Sequence, residues 1–540
     1  MCELLIKNGT IIDGTGSPAF FSDISVKNGK IERIEPSLTM NCHKVLDASN
    51  KIICPGFIDI HSHTDATILI NSKAESKIRQ GITTEIVGNC GMSAAPVTPD
   101  FLTELKEHLT VTSDYGKPGD IGKFWMTFGE YIQYLNDLPL GINLMPMVGY
   151  GTLRCAVMGL KNGPPTQKEM RTMEGLLEKS LEQGAAGMST GLEYVPDALS
   201  HTDELIQLCR VIERNNKLYA SHIRGESHTL FPAVEEAIRT AEMSGCRMEI
   251  SHLKLGGKFN WGKTDQLFAL LDKAVSRGVR LSWDQYPYTA WGTGLADYIP
   301  RWVQQAGYQK LIENLSQKST RKQIRREIEK AIKIGTHAYN TAPWENVQIA
   351  MVKSSKYKFA EGKSVAKSAT ALGLDPLDFI FDLLIAEKGS VSTLVFCMDE
   401  EDIKTIMKHP LTIIASDGRA VADYGALHTG SCHPRYYGAF PRVLGKYVRD
   451  EKVLSIETAI QKMTSMPAKI MGLDNRGTLA PGMIADITIF DPKTVSDMAT
   501  FENPHQYSKG IEKVILSGNI IIDQGVHTNK LSGQVIAAGK

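Results

Sequence analysis

Four histidines, one cysteine and one aspartate stand at the ends of apolar runs in this chain. The stretch "GFIDIHSHTD" (56–65) places His61 and His63 one residue apart. Side chains two apart on a strand project to the same side, so both imidazoles can meet one metal ion. An HxH pair alone arises often by composition and reads more readily as two satisfied histidines. Four further stretches change that balance: "TTEIVGNCG" (83–91), "LYASHIRGE" (218–226), "RMEISHLK" (247–254) and "TIIASDG" (412–418). Each carries an apolar, β-rich run into a metal-capable residue and then a loop, presenting Cys90, His222, His252 and Asp417.

The donor types select the ion. Thiolate with imidazole suits zinc, whereas calcium and magnesium take oxygen ligands. Cys90, His222 and His252 make a tight site; His61, His63 and Asp417 complete a second, weaker position that shares Cys90. Zinc with an open position lowers the pKa of bound water to about 7 and polarises a carbonyl. Asp417 then offers the carboxylate that takes a proton from water and returns it to a leaving nitrogen. Its structural alternative is a helix N-cap. The residue types therefore support zinc-assisted hydrolysis of an amide.

Six such residues meet only if the strands that carry them end together. Apolar, β-rich runs alternate with helical stretches, the pattern of βα units around a parallel sheet. Strands are predicted to end near His61, Cys90, Val148, Ser189, His222, His252, Tyr286 and Asp417. Eight parallel strands close a barrel whose active sites lie at the C-terminal strand ends. About 130 residues separate Tyr286 from Asp417, so an inserted subdomain is expected at about 290–390. The expected fold class is α/β: a (β/α)8 TIM-like barrel over 56–474 with that insertion, plus a small β-sandwich from 1–55 and 475–540. The sandwich strands are read from "LIKNGTIIDGTG" (4–15), "ISVKNGKIERI" (25–35), "ADITIFD" (485–491) and "VILSGNIIIDQG" (514–525). The first and last of these each read as strand, tight turn at Asn-Gly or Gly-Asn, then strand.

The chain has 540 residues, 42% of them hydrophobic, enough for one large and one small core. Sixty basic residues balance sixty acidic ones, so no overall field favours nucleic acid or an anionic membrane. The basic run "RKQIRREIEKAIK" (321–333) has apolar residues at 324, 328 and 332 and reads as the solvated face of an amphipathic helix. No apolar run approaches the roughly 18 residues of a membrane span, and no leader pattern is seen, so a cytoplasmic protein with a small-molecule substrate is expected. Nine cysteines without CxxC spacing fit a reducing compartment better than a disulfide framework.

With those residues in hand, the sequence resembles the amidohydrolase superfamily, and within it the N-acyl-D-amino-acid deacylases (D-aminoacylases). The superfamily signals are "GFIDIHSH", the N-terminal "NGTIIDG" and "GTLAPGMIADITIFD" (477–491). Narrower signals are "GNCG", "GMSTGLEYVP" (187–196), "EISHLK", "NWGK", "HPRYYGAFPRVLGKYVR" (433–449) and "FENPHQYSKGIEKV" (501–514). The resemblance implies zinc on Cys90, His222 and His252, a second metal position near His61 and His63, and Asp417 as general acid and base. It also implies that Lys254, Tyr194 and Tyr286 hold the free carboxylate of an N-acyl-D-amino acid, with Arg301 and Arg435 as further candidates for the same charge. The preference for D over L comes from the resemblance. Tyr150 and Gly225 depart from the family pattern in loops expected beside the pocket, which bears on substrate preference.

Two alternatives stand beside this expectation. One keeps the chemistry but changes the substrate to a cyclic amide or small dipeptide; such relatives bridge two metals with a lysine on strand four, where this chain reads "GMSTGLEY". The other is a barrel that serves as a non-catalytic scaffold; retention of all six candidate ligands argues against it.

Overall fold

A computed structural model describes residues 2–110, 125–303 and 307–537. The middle of the chain is an α/β arrangement of short parallel strands. In order they are Phe57–Asp59, Ile82–Val87, Asn143–Pro146 with its continuation Val148–Gly149, Gly187–Gly191, Leu218–His222, Arg247–Ile250, Leu281–Gln285 and Thr412–Ile414. Each pairs in parallel with the next, in a three-stranded and a six-stranded sheet that share the third of these strands between them. A parallel bridge between Ser62 and Gly418 then brings the exit of the last strand alongside the first. Most of these strands are buried at every position, as parallel strands covered by helices on the outside must be.

The covering helices have readable causes. Gln167–Glu182 starts at a TxxE capping box in which Glu169 N donates to Thr166 and Thr166 N donates back to Glu169. Leu230–Ser244 stops at Gly245, whose φ of 75° a residue with a Cβ rarely adopts. Thr202–Arg214 buries Leu205, Leu208, Val211 and Ile212, one stripe at helical spacing.

Between Gln285 and Thr412 the chain builds a three-stranded antiparallel sheet, Ala290–Gly294, Val347–Met351 and Ser392–Phe396, with helices between the strands. The 321–333 run lies within the helix Lys318–Lys333, where Ile324 and Ile328 are buried and Arg325 pairs with Asp375 and Asp378. Among the described residues no helix is long and apolar enough to cross a membrane.

Strands from both ends form one nine-stranded sheet. Ile52–Pro55 joins the halves by pairing with Ile487–Phe490, Ile53 opposite Ile489. Ile6, Ile11, Ile24, Val26, Ile53, Ile487 and Ile515 share one apolar cluster inside it. Two expectations are corrected here. The stretch 4–15 holds no hairpin: Cys2–Ile11 is one strand, and Asn8, with φ of 62°, marks a bulge between Ile6 and Gly9 where the register shifts. Gly9 is required there because a Cβ would sit 2.2 Å from Ile53 Cδ1. Cys2 and Cys42 form a disulfide, since they lie directly opposite each other on the parallel strands Cys2–Ile11 and Cys42–Asp47. The other seven cysteines are buried.

Candidate metal centre and active-site cavity

The six candidate ligands converge. Donor atoms of His61, His63 and Cys90 lie within 4.8 Å of one another, as do those of Cys90, His222 and His252, and those of His61, His252 and Asp417. Cys90 Sγ is the hub, 3.4 Å from His61 Nε2, 3.7 Å from His252 Nε2 and 4.0 Å from His222 Nδ1. Asp417 Oδ1 lies 3.1 Å from His63 Nε2 and 3.4 Å from His61 Nε2.

His222 ends its strand, but the other regular strands stop short of these residues. Phe57–Asp59 ends two residues before His61 and Arg247–Ile250 two before His252. Loop backbone takes over, and it is strained: Cys90, His252 and Asp417 have φ of 51°, 40° and 45°. A non-glycine residue there costs on the order of 1–3 kcal/mol, and such strain gathers at functional sites. Local bonds hold it in place. Asp417 N donates to His61 O at 3.0 Å, and His63 N donates to Gly418 O at 2.9 Å. Below, Lys77 is fully buried between Asp59 at 2.7 Å and Glu85 at 3.1 Å. Asp59 also accepts from Ser416 N at 2.9 Å, so one carboxylate braces the first and last strand ends together.

Sequence reasoning missed a set of outer carboxylates. His61 Nδ1 meets Asp284 at 2.9 Å, His252 Nδ1 meets Glu226 at 2.8 Å, and His222 Nε2 meets Glu193 at 3.3 Å. In each case the nitrogen facing Cys90 is left to a metal, the arrangement that fixes ring orientation and tautomer at metal-binding histidines. A signal existed for Asp284: it sits within "LSWDQ", a strand buried at every position, where a charge needs a buried partner.

The donor set fits zinc. Two donors on one tetrahedral zinc stand about 3.6 Å apart, given bonds of roughly 2.0 and 2.3 Å, and the Cys90–imidazole separations bracket that value. Charge agrees. Burial opposes ionisation of Cys90, yet the neighbouring His61 and His63 hold the thiol well below its ordinary range. Burial likewise opposes charge on His63, but the Cys90 thiolate and Asp417 carry it up to about 9. Asp417, buried beside Arg435, His61 and His252, is held well below the usual carboxylate range. A thiolate and a carboxylate that draw positive charge onto the surrounding imidazoles form a pocket shaped for a cation.

Above the ligands opens a cavity of about 220 Å³ lined by His63, Cys90, His222, His252 and Asp417. All three expected carboxylate-binding residues, Lys254, Tyr194 and Tyr286, line it too, as do Arg301 and Arg435. Lys254 is not on an extended strand; its ammonium pairs with Glu226 and lies 2.8 Å from His252 Nδ1. Tyr286 has a buried hydroxyl with no hydrogen-bond partner among the described residues. Arg435 pairs with Asp417 Oδ2 at 2.9 Å. Tyr150 does not reach the cavity: it is buried and donates to Glu204, which also meets Arg154 at 3.4 Å, so its departure from the family pattern is a matter of packing. Gly225 also stays out of the lining, packed so that a Cβ would meet Thr229 Oγ1.

Comparison with known proteins agrees with this geometry. A model of the amidohydrolase family matches residues 159–522. The N-acyl-D-aspartate deacylase of Alcaligenes xylosoxydans xylosoxydans is 32% identical over 538 residues, 99% of this chain and 95% of that protein. The N-acyl-D-glutamate deacylase of the same organism is 33% identical, covering 97% of this chain and 94% of that protein. Among solved structures, an N-acyl-D-glutamate deacylase from Bordetella bronchiseptica, complexed with zinc and a phosphonate mimic of the tetrahedral intermediate, matches with a TM-score of 0.83 at 32% identity. That match covers 99% of this chain and 100% of the other. A D-hydantoinase, 14% identical with a TM-score of 0.55, shares the fold. On likeness that spans nearly its whole length, the chain belongs to the amidohydrolase family, among the N-acyl-D-amino-acid deacylases.

Proposed function

We propose that the protein is a zinc-dependent hydrolase that cleaves the amide of N-acyl-D-amino acids to a carboxylate and a free D-amino acid. The observation that carries this is the Cys90 hub, within 4.0 Å of three imidazoles at the floor of a cavity that also holds Asp417. Cys90, His222 and His252 hold the tight zinc; His61, His63 and Asp417, with Cys90 shared, offer the weaker position. When bound, zinc acidifies water and polarises the amide carbonyl.

Asp417 takes the proton from water and gives it to the leaving nitrogen. Arg435, on its other oxygen, keeps the carboxylate ionised and aimed. Lys254, Tyr194 and Tyr286 receive the substrate's free carboxylate. Glu226 takes one of the three Lys254 N–H donors and leaves others for that task. The Tyr286 hydroxyl, buried without a hydrogen-bond partner among the described residues, gains from any acceptor brought to it.

The same proposal includes the architecture that positions these groups. The eight parallel strands close as a (β/α)8 barrel over 56–474, which the Ser62–Gly418 bridge supports, with the insertion at about 290–390. The terminal sheet wraps its apolar cluster as a small sandwich of 1–55 and 475–540.

The test is release of free amine, detected with ninhydrin, from paired N-acetyl-D- and N-acetyl-L-amino acids, with and without added zinc. Turnover confined to D-substrates and dependent on metal is expected. Equal turnover of both enantiomers, or none by zinc-loaded protein, overturns the proposal.

A further inference from the structure

We infer that the side-chain subsite of this cavity selects a cationic side chain, so that the preferred substrates are N-acyl derivatives of D-lysine, D-ornithine or D-arginine. The inference rests on the deacylase reading and goes beyond it to the substrate class.

The charges lining the cavity are Glu193, Glu226, Asp297 and Asp417 against Lys254, Arg301 and Arg435. Two pairs cancel: Lys254 with Glu226, and Arg435 with Asp417 at 2.9 Å. What remains is Glu193, Asp297 and Arg301. Glu193 meets an imidazole, His222, at 3.3 Å, and Asp297 accepts from the Thr293 hydroxyl. Among the described residues neither forms an ion pair with a lysine or arginine. The two carboxylates lie within electrostatic reach of each other and of Arg301, and Arg301 is exposed at the rim. The rings of Tyr194, Trp291, Tyr298 and Tyr308 line the same cavity. Aromatic faces beside carboxylates that lack a lysine or arginine partner attract an ammonium or guanidinium, and Arg301 at the rim is the cation there that offsets them.

A separate observation orients the substrate. The Tyr286 hydroxyl, in a residue 2% exposed, has no hydrogen-bond partner among the described residues; Tyr286 lines the cavity, with the Arg435 guanidinium 4.7 Å from its ring centre. That end takes the substrate's own carboxylate. The side chain of the amino acid is then left to Glu193 and Asp297.

Zinc-loaded full-length protein is assayed with N-acetyl-D-lysine, N-acetyl-D-norleucine and N-acetyl-D-glutamate. Lysine and norleucine share chain length and differ in the ammonium group. A charged hydrogen bond in a cavity is worth about 1.5–3 kcal/mol, so kcat/KM for lysine is expected to exceed that for norleucine by about tenfold or more, with glutamate slowest. Asp297→Asn is expected to cut the lysine-to-norleucine ratio by about two- to fivefold. Calorimetric titration with free D-lysine and D-norleucine reads the same preference without turnover, and decides the matter should the variant not fold. Norleucine or glutamate in the lead overturns the subsite while deacylation stands; silence toward every N-acetyl-D-amino acid overturns both.

Discussion

The metal end of the cavity and the wall opposite it are held by different means. At the metal end, His61, Cys90, His222 and His252 are between 0 and 4% exposed, and each of the three imidazoles has its far nitrogen on a carboxylate. The backbone there is strained at Cys90, His252 and Asp417 and locked by bonds between loops. The opposite wall comes from the insertion, from the strand Ala290–Gly294 and the short turns Leu295–Tyr298 and Arg301–Val303. Its polar groups, Asp297 and Arg301, are exposed. Donors that must meet one ion need fixed geometry, whereas a wall that reads a side chain can change charge at little structural cost. Substitutions at the first region should therefore be large and act on metal or kcat. Those at the second should be small and act on substrate choice.

Cys90→Ala tests that contrast most severely. It removes the hub of the tight set, so zinc retained after dialysis, read by atomic absorption, should vanish and kcat/KM fall on the order of 10³-fold or more. Full zinc and full rate in this variant would falsify the metal assignment. Asp417→Asn separates binding from chemistry: the Cys90, His222 and His252 donors stay, so the tight zinc remains while kcat drops by about 10²–10⁴-fold, the usual worth of a positioned acid or base.

Smaller effects are expected one layer out. Glu226→Gln weakens the carboxylate on His252 and should lower affinity for the tight zinc by about 10–100-fold in a chelator competition. Asp284→Asn acts on His61, a ligand of the weaker position, and should leave the tight zinc in place while the second equivalent binds less firmly. Equal loss of both metals in the two variants would show that the positions are not separately held.

Much of the metal end was legible because its residues break a pattern. A cysteine, histidine or aspartate directly after an apolar, β-rich run is conspicuous, and five such runs share the habit. The outer carboxylates were harder to see: Asp284 and His61 are 223 positions apart in the chain, and only the fold brings them to 2.9 Å. The clue lay in the strands themselves, where Asp59, Glu85, Glu249 and Asp284 set carboxylates within short, largely buried strands and so demand partners. The Cys2–Cys42 bond and the bulge at Asn8 were missed for another reason. Both depend on which strand lies next to Cys2–Ile11, and strand neighbours are set by topology rather than by local pattern.

The smallest predicted effect sharpens the comparison from the other wall. Arg301 is the cation that offsets Asp297 and Glu193, and it stands exposed at the rim, where screening limits a charge to about 0–1 kcal/mol. Arg301→Ala should leave zinc content and kcat near their starting values, since it touches no ligand and does not bear on Asp417. Its effect falls on selection. Removing the one opposing charge lets the two carboxylates act undiminished, so the lysine-to-norleucine ratio should rise by about two- to fivefold, chiefly through KM. Asp297→Asn moves the same ratio down, and opposite signs from two neighbouring charge changes are what a side-chain subsite read by electrostatics requires. If Arg301→Ala instead raises KM for every N-acetyl-D-amino acid alike, Arg301 serves the common carboxylate, and the wall contributes binding without discrimination.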